Sequence, residues 1–193
     1  MSPRVLKANA TNAFAERKRS LLDLAYIQAR LAEDGTLIRG ATTIGDIYVN
    51  DRLIFGPALI RAYELERGVA SYPRIILDSR VFDRLADSAE LRMPGVTDQV
   101  KSLSTVLARD NDGTWFVDDL QATKHELSSR PADYAKFLRK HRDIVKRAVE
   151  RFPELCSPAA KIGWLITYHN RSVSSASLEV LEKNGMDGRE LMI

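Results

Sequence analysis

The stretch LIRGATTIGDIYVNDRLIFGPALIRAYELERGVASYPRIILD, Leu37–Asp78, decides the fold. Two runs rich in β-branched and apolar residues flank the turn signal Asn50-Asp51: Leu37–Val49 reads as a strand or bent strand pair, and Leu53–Phe55 as a strand. Gly56-Pro57 then opens a helix, because proline's fixed φ and missing N–H suit a first helical turn. Along that helix Ala58, Ala62, Leu65 and Val69 recur at steps of four, three and four, which predicts a core-facing line. Ile60, Glu64 and Arg67 fall on a different line. Arg74–Leu77 is the next strand. Strand, glycine elbow, helix, strand is the order in which an α/β unit presents a helix start to a phosphorylated ligand.

Outward from this unit, Phe14–Glu33 has the spacing of an amphipathic helix, closed by Asp34-Gly35. Downstream, a short helix is expected near Val81–Ala86 and an irregular connection over Ser88–Gln99. Ser104–Arg109 and Thr114–Val117 read as a hairpin around Asn111-Asp112-Gly113. From there the chain turns helical. Pro131 starts a helix whose apolar face runs through Tyr134, Phe137, Leu138, His141, Ile144, Val145, Ala148 and Phe152, and Pro153 stops it. Ser157 is the expected N-cap of the next helix, and the tail from Ser172 holds one weaker helix.

The chain of 193 residues suits one domain or a domain with an appendage, and its 45% hydrophobic and 28% charged content is that of a globular protein. A net charge of +3 is too mild to argue for nucleic acid. The basic residues Lys136, Arg139, Lys140, Arg142, Lys146, Arg147 and Arg151 surround a helix with an apolar stripe, which reads as a solvated face. The single cysteine, Cys156, excludes an internal disulfide, and no run has the length and apolarity of a membrane span or leader. A cytoplasmic protein with neither membrane nor nucleic acid as partner is expected.

The order RGxxxxG (Arg39–Gly45), FGPALxxAYELE (Phe55–Glu66) and PRIIL (Pro73–Leu77) resembles the second half of a class III nucleotide cyclase domain, and most of all bacterial cyclases of the Pycsar antiphage type and their relatives. The likeness covers about residues 14–80, with a weaker echo in KIGWLITYHN, Lys161–Asn170. It implies an α+β fold. A partial cyclase-like, ferredoxin-like module at residues 8–120 would be followed by a helical appendage at 121–193. It further implies formation of a 3′,5′-cyclic nucleotide from a nucleoside triphosphate by a dimer using Mg²⁺ or Mn²⁺, with Arg39, Arg61, Tyr63 and Arg74 as candidate substrate contacts. The family carries two metal-binding aspartates ahead of the RGxxxxG strand. No strand-like run with an aspartate precedes Leu37 here, so a truncated domain is expected. The family's ribose-binding Asn and phosphate-binding Arg fall on Ile60 and Glu64, where an apolar chain cannot donate a hydrogen bond and a carboxylate repels a triphosphate.

Two readings follow. In one, the chain is a truncated or degenerate cyclase whose metal site must be completed by a second copy or a related cyclase chain. In the other, it is a catalytically inactive dimerisation, regulatory or nucleotide-binding module. Asp46, in a TTIGDIY segment that looks like the family's metal-bearing hairpin, is the one candidate ligand, although its closeness to the Pro57 helix favours a strand-end carboxylate. GATTIG, Gly40–Gly45, is not a P-loop, since Asp46 and Ile47 stand where lysine and a hydroxyl residue are needed. His125, His141 and His169 lack metal-ligand spacing.

Overall fold

A computed structural model describes residues 13–86, 103–151, 156–176 and 187–193. The described elements run α1 (Ala13–Glu33), β1 (Gly40–Thr42), β2 (Tyr48–Val49), β3 (Ile54–Phe55), α2 (Pro57–Gly68), β4 (Ile75–Leu77), α3 (Ser79–Ala86), β5 (Leu107–Arg109), β6 (Trp115–Val117), α4 (Asp119–Glu126), α5 (Pro131–Arg151), α6 (Cys156–Ser175) and α7 (Gly188–Leu191). The fold is α+β. The chain divides into two compact units, one of Arg39–Val117 with the chain up to Leu24, the other of Ala25–Ile38 with Asp118–Ile193. The division falls after Val117, and the second unit also includes residues 25–38.

In the first unit a four-stranded sheet has the order β1-β4-β6-β5. β1 and β4 are parallel, Gly40 opposite Ile75 and Thr42 opposite Leu77, with α2 in the crossover between them. β6 lies antiparallel to β4 through Ile76 and Phe116, and β5 and β6 form the hairpin expected around Gly113, whose φ of 82° is the left-handed conformation that glycine tolerates. The buried triplet Ile75-Ile76-Leu77 and the neighbouring Phe116 and Val117 make the core. The ferredoxin-like refinement is not matched among the described strands. A split βαβ places another strand between its parallel pair, whereas β1 and β4 are directly hydrogen-bonded.

Of the two forms expected for Leu37–Val49, a strand or a bent strand pair, the chain takes the second, as β1 and β2. β2 leaves the main sheet and pairs with β3 as a separate two-stranded ribbon, Tyr48 opposite Phe55 and Val49 opposite Ile54. Gly56 joins ribbon to helix, and its φ of 150° and tight surroundings explain the residue: a Cβ there would stand 2.6 Å from the Asp46 carbonyl oxygen. That same oxygen accepts from the Ala58 amide at 3.2 Å, tying the ribbon to the first turn of α2. On α2 only Leu65 is fully buried, Ala58 and Ala62 are half-buried, and Val69 is exposed because the helix has already ended at Gly68.

The second unit is helical. Tyr134, Phe137, Leu138, His141, Ile144 and Val145 form the buried face of α5, as the periodicity predicts, and the basic residues of that helix are exposed except for the half-buried Arg142. Phe152 and Pro153 lie outside the described residues. α6 begins at Cys156, so Ser157 is inside the helix rather than capping it. Asp118 caps α4, accepting from the Gln121 amide at 3.0 Å.

Candidate functional site

In the first unit the short parallel strands β1 and β4 end together, and the residues that follow them converge. Thr43 follows β1, Asp78 follows β4, and Arg61 reaches in from α2. The Asp78 carboxylate accepts from Thr43 Oγ1 at 2.7 Å and from Arg61 Nε at 3.1 Å on one oxygen, and from Arg61 Nη2 at 3.3 Å on the other. Burial alone would push Asp78 up, but the hydrogen bonds from Arg61 and Thr43, with the guanidinium charge, hold its carboxyl at about 2. Ligands of open α/β sheets gather at such carboxyl-terminal strand edges. Here the edge is occupied by a closed ion pair, with Arg61 about one-third exposed at its outer side.

The four arginine and tyrosine candidates do not meet at one point. Arg39 precedes β1 and pairs with Glu66 at 2.7 Å while donating to the Ala70 carbonyl at 3.3 Å, at the far end of α2. Arg74 precedes β4, so both arginines sit at the strands' amino-terminal edge, opposite Arg61. The Arg74 side chain is 0% exposed. Its two terminal nitrogens bond Asp110 and Asp112 of the β5–β6 turn, and the guanidinium lies over the rings of Tyr72, 5.1 Å, and Phe116, 5.6 Å. That geometry fastens the hairpin to β4. Tyr63 is exposed on the outer face of α2.

Ile60 and Glu64, the positions at which the resemblance puts ribose and phosphate contacts, are exposed on that same outer face; Ile60 is 61% accessible. Asp46 is exposed, and its backbone oxygen accepts from the Ala58 amide. Among the described residues no group of three or more His, Cys, Asp or Glu side chains is placed to hold a metal, and no helix is long and apolar enough to cross a membrane.

The sequence reading missed the most conspicuous surface of this unit. Ile47, Tyr48, Val49, Leu53, Ile54 and Phe55 of the ribbon, with Leu59, Ile60 and Tyr63 of α2, are all more than a third exposed. Tyr48 and Phe55 pack ring against ring at 5.0 Å, and the Asp46–Ala58 bond holds ribbon and helix start together. The signal was available: IYV and LIF are apolar on both faces of a ribbon that has no second layer in its own sequence neighbourhood. No family model, curated protein or solved structure matches the chain.

Proposed function

We propose that the first unit is a docking module of cyclase-like ancestry that associates with a second copy or a related cyclase chain through the β2–β3 ribbon and the outer face of α2. The observation that carries this reading is the concentration of exposed apolar side chains between Ile47 and Tyr63. Half-exposed side chains of this size leave on the order of 100 Å² each. Nine of them together match the roughly 800 Å² that one partner gives to a standard interface. An isolated two-stranded ribbon is marginal in water, and its free edges accept another strand. The lesser role of chemistry in this reading rests on Ile60 and Glu64 and on the internal pairing of Arg39, Arg61 and Arg74. A cyclic nucleotide would form only in an assembly whose partner brings the metal-binding aspartates together with Mg²⁺ or Mn²⁺, and nucleoside triphosphate is the ligand class that such a shared site would take.

Sedimentation velocity tests the docking reading. The wild-type chain is expected to self-associate in a concentration-dependent manner, and Val49→Lys with Ile54→Lys to shift it towards monomer while leaving its circular dichroism unchanged. A wild-type chain that stays monomeric over a hundredfold concentration range, and that binds no cyclase-like chain, overturns it.

A further inference from the structure

We infer that the second unit keeps one proton in a buried cluster formed by Asp118, Tyr168 and Asp119, making the packing of its helices sensitive to pH around neutrality. Counting protons carries the argument. The Tyr168 hydroxyl lies 2.8 Å from Asp118 Oδ1 and 2.9 Å from Asp119 Oδ1, and it accepts from the Leu120 amide at 3.1 Å. A phenol has one hydrogen to give, so it serves one carboxylate. The other oxygen–oxygen contact is attractive only if that second carboxyl carries a proton of its own and donates it to the phenol oxygen. Two acids and one tyrosine therefore share two protons.

The surroundings select the acid that keeps the extra one. Asp118 faces the Arg171 guanidinium of α6, 3.6 Å from its Oδ2, and accepts from the Gln121 amide at the start of α4, where the helix dipole favours negative charge. Among the described residues no cation forms an ion pair with Asp119; from α1 it receives the neutral Gln28 Nε2, at 3.0 Å. From α5 the buried Tyr134 hydroxyl sits in the field of both carboxylates without a hydrogen-bond partner among the described residues, and the neutral His141 ring stands edge-on to Tyr168 at 6.4 Å. Burial first, and then the Asp118 charge, push the Asp119 carboxyl up to about 7.

The folded unit therefore binds a proton that the unfolded chain releases near the ordinary aspartate pKa of about 4. A raised folded-state value means that this contribution is complete below about pH 4 and is lost as pH rises through 7, at up to about tenfold in the folding constant per pH unit. Above neutrality two carboxylates confront one hydroxyl, at the point where α1, α4, α5 and α6 meet. His141 and His169 act in the opposite direction below about pH 6.5, so overall stability mixes the two and a site-resolved readout is needed.

Carboxyl-carbon NMR of the full chain, labelled at aspartate, supplies that readout. One aspartate is expected to titrate with a midpoint near 7, to vanish from the spectrum in Asp119→Asn, and to shift its midpoint downward in Asp118→Asn. If Asp119→Asn does not fold, the wild-type titration and the Asp118→Asn shift decide the matter. A wild-type chain in which every aspartate has finished titrating below pH 5 overturns the inference, as does a near-neutral midpoint unmoved by Asp118→Asn.

Discussion

Arg61 clasps Asp78 side-on, Nε to one carboxylate oxygen at 3.1 Å and Nη2 to the other at 3.3 Å. The pair links the crossover helix α2 to the carboxyl end of β4, and Thr43 ties the same carboxylate to the end of β1. Three consecutive pieces of the βαβ unit are thus joined at one buried acid, which is 2% exposed. The two-point fork is a geometry that arginine supplies and lysine cannot.

Replacing Asp78 with alanine is therefore expected to destabilise the first unit by about 1–3 kcal/mol, the range for leaving buried donors without their acceptor. The acid response should change as well. Because the folded-state carboxyl is held at about 2, below the unfolded value near 4, its contribution is present above about pH 4 and is lost as pH falls towards 2. Hydrogen exchange at the Ile76 and Leu77 amides of β4, measured between pH 3 and 6, should show this loss in the wild-type chain and not in Asp78→Asn. Equal pH dependence in both would assign the pair no part in stability.

In the second unit, the histidine pair fixes the C-terminal segment. His169 Nε2 faces the Leu191 carbonyl at 2.7 Å and must carry the hydrogen, which leaves its Nδ1 bare. His141 Nδ1, 3.1 Å away, is then the donor. Both rings are neutral, and burial drives His141 down to about 3 and His169 below its ordinary value. Depressed values mean that stability is intact above about pH 6.5 and declines as pH falls below it, when the unfolded chain takes up protons that the folded one refuses. His169→Ala should cost about 2–3 kcal/mol through the cavity and the orphaned carbonyl. It should also speed exchange of the Ile193 amide, which is held by Asn170 Oδ1 at 3.0 Å. His169→Gln, which can still donate to Leu191, should restore much of that protection. Unchanged Ile193 exchange in the alanine variant would remove the histidine from this role.

The sequence was most legible where one periodicity ran long. α1, α2 and α5 were readable because their apolar spacing persists for three turns or more, and the Asn111-Asp112-Gly113 turn because its chemistry is local. The run Leu37–Val49 read as a strand or bent strand pair, but where it breaks is tertiary: Thr43 turns to Asp78, and Gly45 lets the chain pass the Ala58 side chain, where a Cβ would come within 3.3 Å. Arg74 looked like a phosphate ligand because a buried arginine and a ligand-binding one are the same letter; its acids lie 36 and 38 residues away. The Asp118-Asp119 pair reads locally as a helix cap, and its second role depends on Tyr168, roughly fifty residues on.

The outer face of α2 gives the sharpest test of the cyclase resemblance. If the cyclase alignment proposed above holds, the chain alone is expected to make no cyclic nucleotide from any of the four triphosphates with magnesium or manganese, since Ile60 and Glu64 would then stand where the family has a hydrogen-bond donor and a cation facing the developing charge on phosphate. Both side chains are exposed, so Ile60→Asn with Glu64→Arg should fold and melt within about 0.5 kcal/mol of the parent. Ala62→Asp is a control of the opposite kind: that side chain is half-buried on the inner side of the helix, and an unpaired charge there should destabilise. If the family alignment along α2 holds, the double variant gains affinity for nucleoside triphosphate over the parent by severalfold, and the gain shrinks as salt rises, because it rests on one new exposed charge. Calorimetric titration at two salt concentrations reads both effects. Equal affinities in parent and variant would leave α2 as a docking helix with no memory of a nucleotide, and turnover by the unmodified chain that a chelator abolishes would reverse the order of the two functional readings.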